Sequence, residues 1–504
     1  MSVRVRYVLR LGTCMCVAVS MISTGTAQIV TDRKGSDQPW VHHMTVDPAG
    51  EASPALRYRL IRSINERKPG NAASYYYRAL ALLNEQEKLG KELIEITEIV
   101  EKLGNDNKQL SEFPAERVRT FLGHCSSILR ELETAAACEK CDWGVEVRLL
   151  STREAIELVL PEIQNSRNLA RIVVLKARLA IVERKYEEAF SAIQTGFQLG
   201  HDVGKFPTLI SSLVGMAITS ISTQPLMELI SEPNSANYYW AAASVPKPFF
   251  DVISPVEYEC SWALKIPLLQ EAEKSHTPEE WKRLLAEAFQ FRQQMDGTSS
   301  LNSEDGSDTN TQIDLLQHVL REYPRAKGEL TRLGFTADQV ESMPVIQVIA
   351  LHDARLIPHK RDDLLRWVYQ PYWQSAERVA AIDRRPVDDG ESKRLADMKE
   401  SLGLFEILHP AVAQVLHAFV RPERRFVRVQ AIEALRMHAF ENGGKFPEKL
   451  SELRAVPIPN DPVTGNPIIY RLDGETAVLE FPPPESQKIG SFGETIRLTL
   501  RKAQ

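Results

Sequence analysis

The sequence predicts a mainly α chain: an irregular stack of helical hairpins, a second helical block, and a small C-terminal α+β module made of a helix and a β-hairpin. Three observations carry this expectation. Apolar residues recur every three or four positions from Pro54 to about residue 294, as amphipathic helices require. The run MDGTSSLNSEDGSDTNTQ (295–312) then breaks the pattern with small polar residues, four acids and no base. Finally, the stretch from about residue 421 to the end turns from one helix to short β-type runs around Asp473-Gly474, a strong hairpin signal.

In chain order, residues 1–27 read as a signal peptide. Arg4, Arg6 and Arg10 form a positive start, LGTCMCVAVSMI is the apolar run, and Gly25 and Ala27 are the small residues at a cleavage site. Cleavage after Ala27 is expected, with an N-terminal signal anchor as the alternative; the chain is expected to be exported, periplasmic or secreted. Residues 28–50 read as an irregular lead-in, broken by Pro39, Pro48 and Gly50.

Residues 51–294 read as the TPR-like helical domain. PALRYRLIRSINERKPG stops at a Pro-Gly breaker, NAASYYYRALALLNEQEKLGKELIEITEIVEKLG is helical throughout, and a further helix is expected from Ala115 to about Ala137. LISSLVGMAITSIS (209–222) is the most apolar later stretch, but it is short for a bilayer span and holds four serines and a threonine. A buried core helix is the expectation, with no stable membrane span once the signal is removed.

ARLAIVERKYEEAFSAIQTGFQLG (177–200) resembles a tetratricopeptide repeat: Ala177, Ala189 and Gly196 take the small positions where paired helices cross, Tyr186 follows the turn, and Ile193 fills the large apolar slot. Lys176 and Ala180 depart from the pattern, and no second unit aligns at that period. The resemblance implies a hairpin stack of the kind that binds other proteins.

Residues 295–312 are expected to be a disordered linker; the DxDxDG order of a calcium loop is absent there. Residues 313–420 form the second helical block, with a long periodic run through VIQVIALHDARLIPHKRDDLLRWVYQPYW. In 421–504, Val429, Ile432, Leu435 and Ala439 line one helix face, Gly443 and Gly444 end the helix, and a short helix starts at Pro447. IIYRL and TAVLEF make the hairpin, and IRLTL (496–500) can add a strand.

This last segment resembles the soluble part of the major pseudopilins of type II secretion. The residues that carry the resemblance are Gly444, Phe446, Pro447, Asp461, Pro462, Gly465, Asn466, Pro467 and Tyr470. The Gly-Phe-Thr-Leu-x-Glu start of a prepilin is missing, so assembly into a pseudopilus is not implied. The rest of the chain, through PALRYRL, KPGNAA and CDWG, resembles large exported helical bacterial proteins that carry this module. That resemblance implies an architecture and an export address, and no activity.

Charge excludes one class of partner. With 61 Lys and Arg against 67 Asp and Glu the net charge is −6, which gives no basic footprint for nucleic acid. RPERRFVR (421–428) is the densest basic run; it reads as a solvated helix start, with an anionic surface as the alternative partner.

CEKCDWG (138–144) is the stretch most suggestive of chemistry. Cys14 and Cys16 fall in the signal peptide, leaving Cys125, Cys138, Cys141 and Cys260, an even set that in an exported protein favours disulfides. The preferred reading is a structural staple, with inert thiols or a metal or redox site as alternatives. A reactive thiolate wants a helix N-terminus, whereas ELETAAAC puts this motif after a helix and beside Glu139 and Asp142. Position 142 is Asp, where haem attachment needs His, and one CxxC alone is half of a zinc site.

His318, His352, Asp353 and Asp383 follow the order of metal ligands in helical HD-type phosphohydrolases. A His-Asp pair recurs at His201-Asp202, and the favoured reading of all these is helix-surface polarity. No HExxH, phosphate-binding Gly-rich loop, GxSxG or EF-hand is found in the sequence. The expectation is therefore a non-catalytic scaffold or interaction protein of the cell envelope, with no cofactor and another envelope or secreted protein as partner. The alternative is a metal-dependent phosphohydrolase of the HD type.

Overall fold

The computed structural model describes residues 29–32, 38–105, 112–150, 154, 161–296, 309–382, 401–403, 409–483 and 493–502. The expected signal peptide, residues 297–308 of the expected linker, and Asp383 lie outside the described residues. The protein is mainly helical with a small sheet built largely from its C-terminal strands, as the sequence predicts.

The described residues divide into two compact units. The larger takes residues up to Val145, 161–251, and His417 onwards; the smaller takes 146–150 and Val252–Leu416. This grouping cuts across the linear order read from composition: residues 252–296 join the second helical block, while the described residues from 29 to 50 and from 417 onwards join the first helical stack.

The larger unit contains, in order, β1 (Ile29–Asp32), β2 (Trp40–Val46), β3 (Lys68–Asn71), α1 (Ala72–Asn84), α2 (Glu87–Asn105), α3 (Ala115–His124), α4 (Ser126–Ala136), β4 (Cys138–Lys140), α5 (Pro161–Val182), α6 (Tyr186–Gly204) and α7 (Leu209–Ser231). The long helix α8 (His409–Glu441) enters it at His417, and β5 (Ile469–Asp473), β6 (Thr476–Phe481) and β7 (Glu494–Leu500) complete it. The helix expected from Ala115 to Ala137 is two helices, broken at Cys125.

The α5–α6 hairpin forms where the repeat-like motif predicts it. Its turn closes as a Schellman motif: Lys185 N–H donates to the Ala180 carbonyl at 2.8 Å and Arg184 N–H to Ile181 at 2.9 Å, with Arg184 at φ +59°. Across α5 and α7, the buried Arg178 guanidinium grips Glu228, with Nη2 at 2.9 Å and Nε at 3.1 Å from Oε1. Helix α7 is the one described helix long and apolar enough to cross a membrane, and 72% of its apolar window is buried in the protein.

Helices α6 and α7 cross with almost no side chain between them. A Cβ on Gly215 of α7 would lie 2.6 Å from the Gly200 carbonyl oxygen and 2.8 Å from the Gly204 nitrogen. A Cβ on Gly200 would meet Thr219 Oγ1 at 2.5 Å. Glycine is required at this crossing because backbone occupies the space a methyl group would need.

The sheet corrects the expectation of an irregular lead-in at 28–50. Its order is β1-β2-β7-β6-β5, and β2 runs parallel to β7 from Trp40 opposite Glu494 to Val46 opposite Leu500. His42 and His43 interrupt the apolar pattern of WVHHMTV, which hides the strand in the sequence; Met44 and Val46 are buried all the same. Met44 aligns with Leu498, and on the other side of β7 Ile496 faces Leu479 and Leu498 faces Ala477, so one face carries a continuous apolar layer. The hairpin turn is Gly474-Glu475, one residue later than the sequence signal, with Gly474 at φ +60° in the first central position of a two-residue loop.

Arg436 of α8 ties the two ends of the chain to the helical stack. Its Nε donates to the Asp47 carbonyl, Nη1 to Ala236 and the Glu433 carboxylate, and Nη2 to Ser235, all at 2.8–3.0 Å and fully buried. Asn237 Nδ2 adds bonds to the Ala49 and Glu433 carbonyls. Asp461 anchors its loop by accepting Val463 N–H at 3.0 Å and Arg424 Nη2 at 2.6 Å.

In the smaller unit, helices Thr309–Arg332 and Val345–Val368 pack together, with Trp262 and Trp281 fully buried nearby in the chain. The first of these helices ends with Gly334 at φ +101° in a Schellman turn, Phe335 N–H reaching the Leu330 carbonyl at 3.2 Å.

Candidate functional site

The CEKCDWG loop is built from the end of α4. The chain leaves that helix extended and pairs as β4 with β3, Lys68 opposite Cys138 and Asn71 opposite Lys140. Asn71 is the organising residue. Its Oδ1 accepts Ala73 N–H at 3.2 Å, capping α1, and also accepts Asp142 N–H at 2.8 Å. Its Nδ2 donates to the Asp142 carbonyl at 2.7 Å, so one side chain imitates a strand partner for Asp142. Asp142 Oδ1 then accepts Gly144 N–H at 2.9 Å, and Gly144 turns the chain at φ +70°.

The turn delivers Trp143 into the core. Its ring stacks on Tyr76 at 5.7 Å and meets Tyr77 edge-on at 5.5 Å. Its Nε1 donates to the Asp202 carbonyl at 3.1 Å. The Asp202 carboxylate is buried and accepts Tyr76 Oη at 3.1 Å, Gln198 Nε2 at 3.0 Å and Lys205 Nζ at 3.0 Å. Burial pushes the Asp202 carboxyl up, against the pull of Lys205. Neighbouring His201 is pushed down to about 3 by burial and by Lys205.

The expected disulfide is not made: Cys125, Cys138, Cys141 and Cys260 are all free thiols. Residues three apart in extended chain stand about 10 Å apart at Cα, beyond the roughly 7 Å a disulfide spans. Because β4 is extended rather than the end of a helix, the staple geometry is lost. Cys138 Sγ instead donates to the Thr134 carbonyl at 3.4 Å. Burial raises all four thiols, Cys125 and Cys260 to about 12, and Asp202 adds to the effect at Cys138 and Cys141. At neutral pH they are protonated thiols and poor nucleophiles.

The second candidate set lies in the smaller unit. His352 and Asp353 are not helix-surface residues: neither exposes any surface. His352 Nδ1 lies 2.8 Å from Asp353 Oδ1 and 3.2 Å from Ser401 Oγ. Its Nε2 lies 2.6 Å from Glu329 Oε2, close enough for an ion pair though not aligned as a hydrogen bond. Asp353 Oδ1 accepts Ser401 N–H at 2.7 Å and Oδ2 accepts Leu402 N–H at 2.8 Å. His318 sits in the same helix as Glu329, its side chain outside the described residues, as is Asp383.

No family model, curated protein or solved structure matches the chain.

The function therefore has to be read from geometry. Among the described residues, no group of three or more His, Cys, Asp or Glu side chains is arranged to hold a metal ion. Both Asp353 oxygens accept backbone N–H groups, which makes the residue an anchor for the 401–402 segment. Sequence reading missed Glu329, Ser401 and Tyr76 as partners, because each comes from a different part of the chain, and it missed Lys205, one turn from Asp202. Asp202 had a signal, the His201-Asp202 pair, but nothing local distinguishes a buried hub from a surface pair.

Proposed function

We propose that the chain is a non-catalytic scaffold of the cell envelope, exported by its N-terminal segment, that binds another envelope or secreted protein. The observation that carries this reading is the inward direction of its chemistry-bearing residues. His352, Asp353, Cys125 and Cys260 are fully or almost fully buried, and Asp353 anchors the backbone of Ser401 and Leu402. The groups facing outward include apolar residues instead: Ile64 is 82% exposed, Phe440 62% and Ile94 52%. Export is supported by the arginines at 4, 6 and 10 and the apolar run after them. The C-terminal segment is proposed to be a pseudopilin-like module adapted to a scaffold, on the strength of its Asp461–Tyr470 loop and strands.

The test pairs two measurements on the full chain from its native host. Cross-linking followed by native mass spectrometry is expected to recover one stoichiometric envelope partner. Hydrolysis of bis(p-nitrophenyl) phosphate with added manganese is expected to stay at the level of a His352→Gln variant. Metal-dependent turnover lost in that variant would instead establish the HD-type phosphohydrolase.

A further inference from the structure

Strand β5 is an outer strand of the sheet, and its far edge is open. In its hairpin with β6, Asp473 lies opposite Thr476, Arg471 opposite Val478 and Ile469 opposite Glu480. Across a two-residue loop these are the residues that turn their backbone groups to β6. Tyr470 and Leu472 therefore turn theirs outward. Among the described residues nothing bonds to the backbone N–H or carbonyl of either one.

Side chains alternate along the same strand. Tyr470 and Leu472 are half-buried and share a face with buried Leu479 and Ala477. Ile469, Arg471 and Asp473 share the other face and are exposed. The charges on that face balance. Arg471 Nε lies 3.3 Å from Glu480 and Nη1 3.5 Å from Asp473, and Arg497 of β7 lies 2.9 Å from the same Asp473. The side chains of Arg471 and Asp473 are still 51% and 52% exposed, which leaves each room for a further partner.

An open edge accepts another strand. Two copies of β5 laid antiparallel about Leu472 satisfy hydrogen bonds and charge together. Leu472 of each copy exchanges N–H and carbonyl with Leu472 of the other, the pairing that its outward groups require. One position away, Arg471 of each copy stands directly opposite Asp473 of the other, which makes two reciprocal ion pairs. Pairing about Arg471 would set two guanidiniums against each other, and pairing about Tyr470 would set Arg471 opposite Ile469. Charge thus selects one register.

We propose that β5 is a self-association edge, through which two copies of the chain pair antiparallel about Leu472 and join their sheets into one. A single short strand buries less than the roughly 1,200–2,000 Å² of a stable complex. The dimer is accordingly weak and forms as concentration rises. It is independent of the scaffold reading, since it needs neither export nor an envelope partner.

The full chain is sedimented across about a hundredfold range of concentration, where a monomer–dimer equilibrium is expected. Arg471→Glu and Asp473→Lys should each weaken it at least about tenfold, because each sets like charges against each other across the pair. Mixed in equal amounts, the two variants should regain the parent's affinity as a heterodimer, since the reversed charge of each then faces its opposite. Leu472→Cys touches neither charge and should link two copies when oxidised with diamide, paired Cα atoms lying about 5.5 Å apart. That link should be lost when Arg471→Glu is added. Recovery in the mixture, or a link of this kind, upholds the proposal. A parent that stays monomeric overturns it and means that the charges only guard the edge against other strands. A dimer unchanged by the single variants also overturns it, as does a monomeric mixture together with no link.

Discussion

Arg436 and Glu433, one turn apart on α8, form an ion pair at 2.9 Å from which water is wholly excluded. Such a pair is held by the hydrogen bonds around it more than by its own attraction. Here the remaining guanidinium protons go to Asp47, Ala236 and Ser235. Arg436→Met leaves Glu433 buried and unpaired and should cost about 3–5 kcal/mol. Urea unfolding followed by circular dichroism measures it. Adding Glu433→Leu should recover part of the loss; a double variant as unstable as both single losses combined would contradict the pairing.

The α6–α7 crossing separates two glycines that look alike in the sequence. Gly215→Ala drives a methyl group into the backbone of Gly200 and Gly204 and should cost about 1–3 kcal/mol. At Gly50 the methyl meets the ring of Phe440, which is 62% exposed and can swing away. Gly50→Ala should therefore be near neutral. Differential scanning calorimetry on the two variants should show a clear drop in melting temperature for the first alone.

Asn71 serves α1 and the CEKCDWG loop together, so its removal should be felt at Trp143. Asn71→Ala loses a helix cap and two loop bonds, on the order of 2 kcal/mol. Trp143 fluorescence should shift to the red as the ring leaves Tyr76. An unchanged spectrum would mean that the loop is held by other groups.

Acid should weaken the larger unit at mild pH. Burial, the leading cause, keeps His42 at about 4, His201 at about 3 and His417 at about 2, against an ordinary 6.5. Above pH 6.5 the imidazoles are neutral folded or unfolded. As pH falls below that, the unfolded chain takes up protons that the folded chain refuses, and stability drops until each folded-state value is reached. Between pH 7 and 5 the loss should be about 2 kcal/mol per histidine. Glu494, held at about 2, adds a further loss below pH 4.5. Urea midpoints from pH 7 to 4 test this, and His201→Phe should flatten the curve.

Features set by local pattern were legible in the sequence: the α5–α6 hairpin, buried α7, the β5–β6 hairpin and strand β7. Features set by distant partners were not. β2 reads as irregular because its histidines break the alternation, and its partner β7 lies at the other end of the chain. His352 reads as a surface residue because Glu329, Ser401 and Leu402, which make its burial tolerable, come from elsewhere. The CxxC reads as a staple because the sequence places it at the end of a helix running to about Ala137, whereas Asn71 holds the following residues in extended chain. The arginines of α8 look solvated until β7 brings Glu494 against them.

The placement of β7 between β2 and β6 fixes an order of events in the making of the protein. The centre of the sheet is synthesised after both of its neighbours, so β2 and the β5–β6 hairpin exist before anything can join them. Until then both present open edges, which are sticky. A nascent chain must be kept from pairing those edges with other molecules until β7 emerges. A product cut short before β7 would keep those edges exposed and be open to proteases, which makes β7 the strand on which closure of the sheet depends.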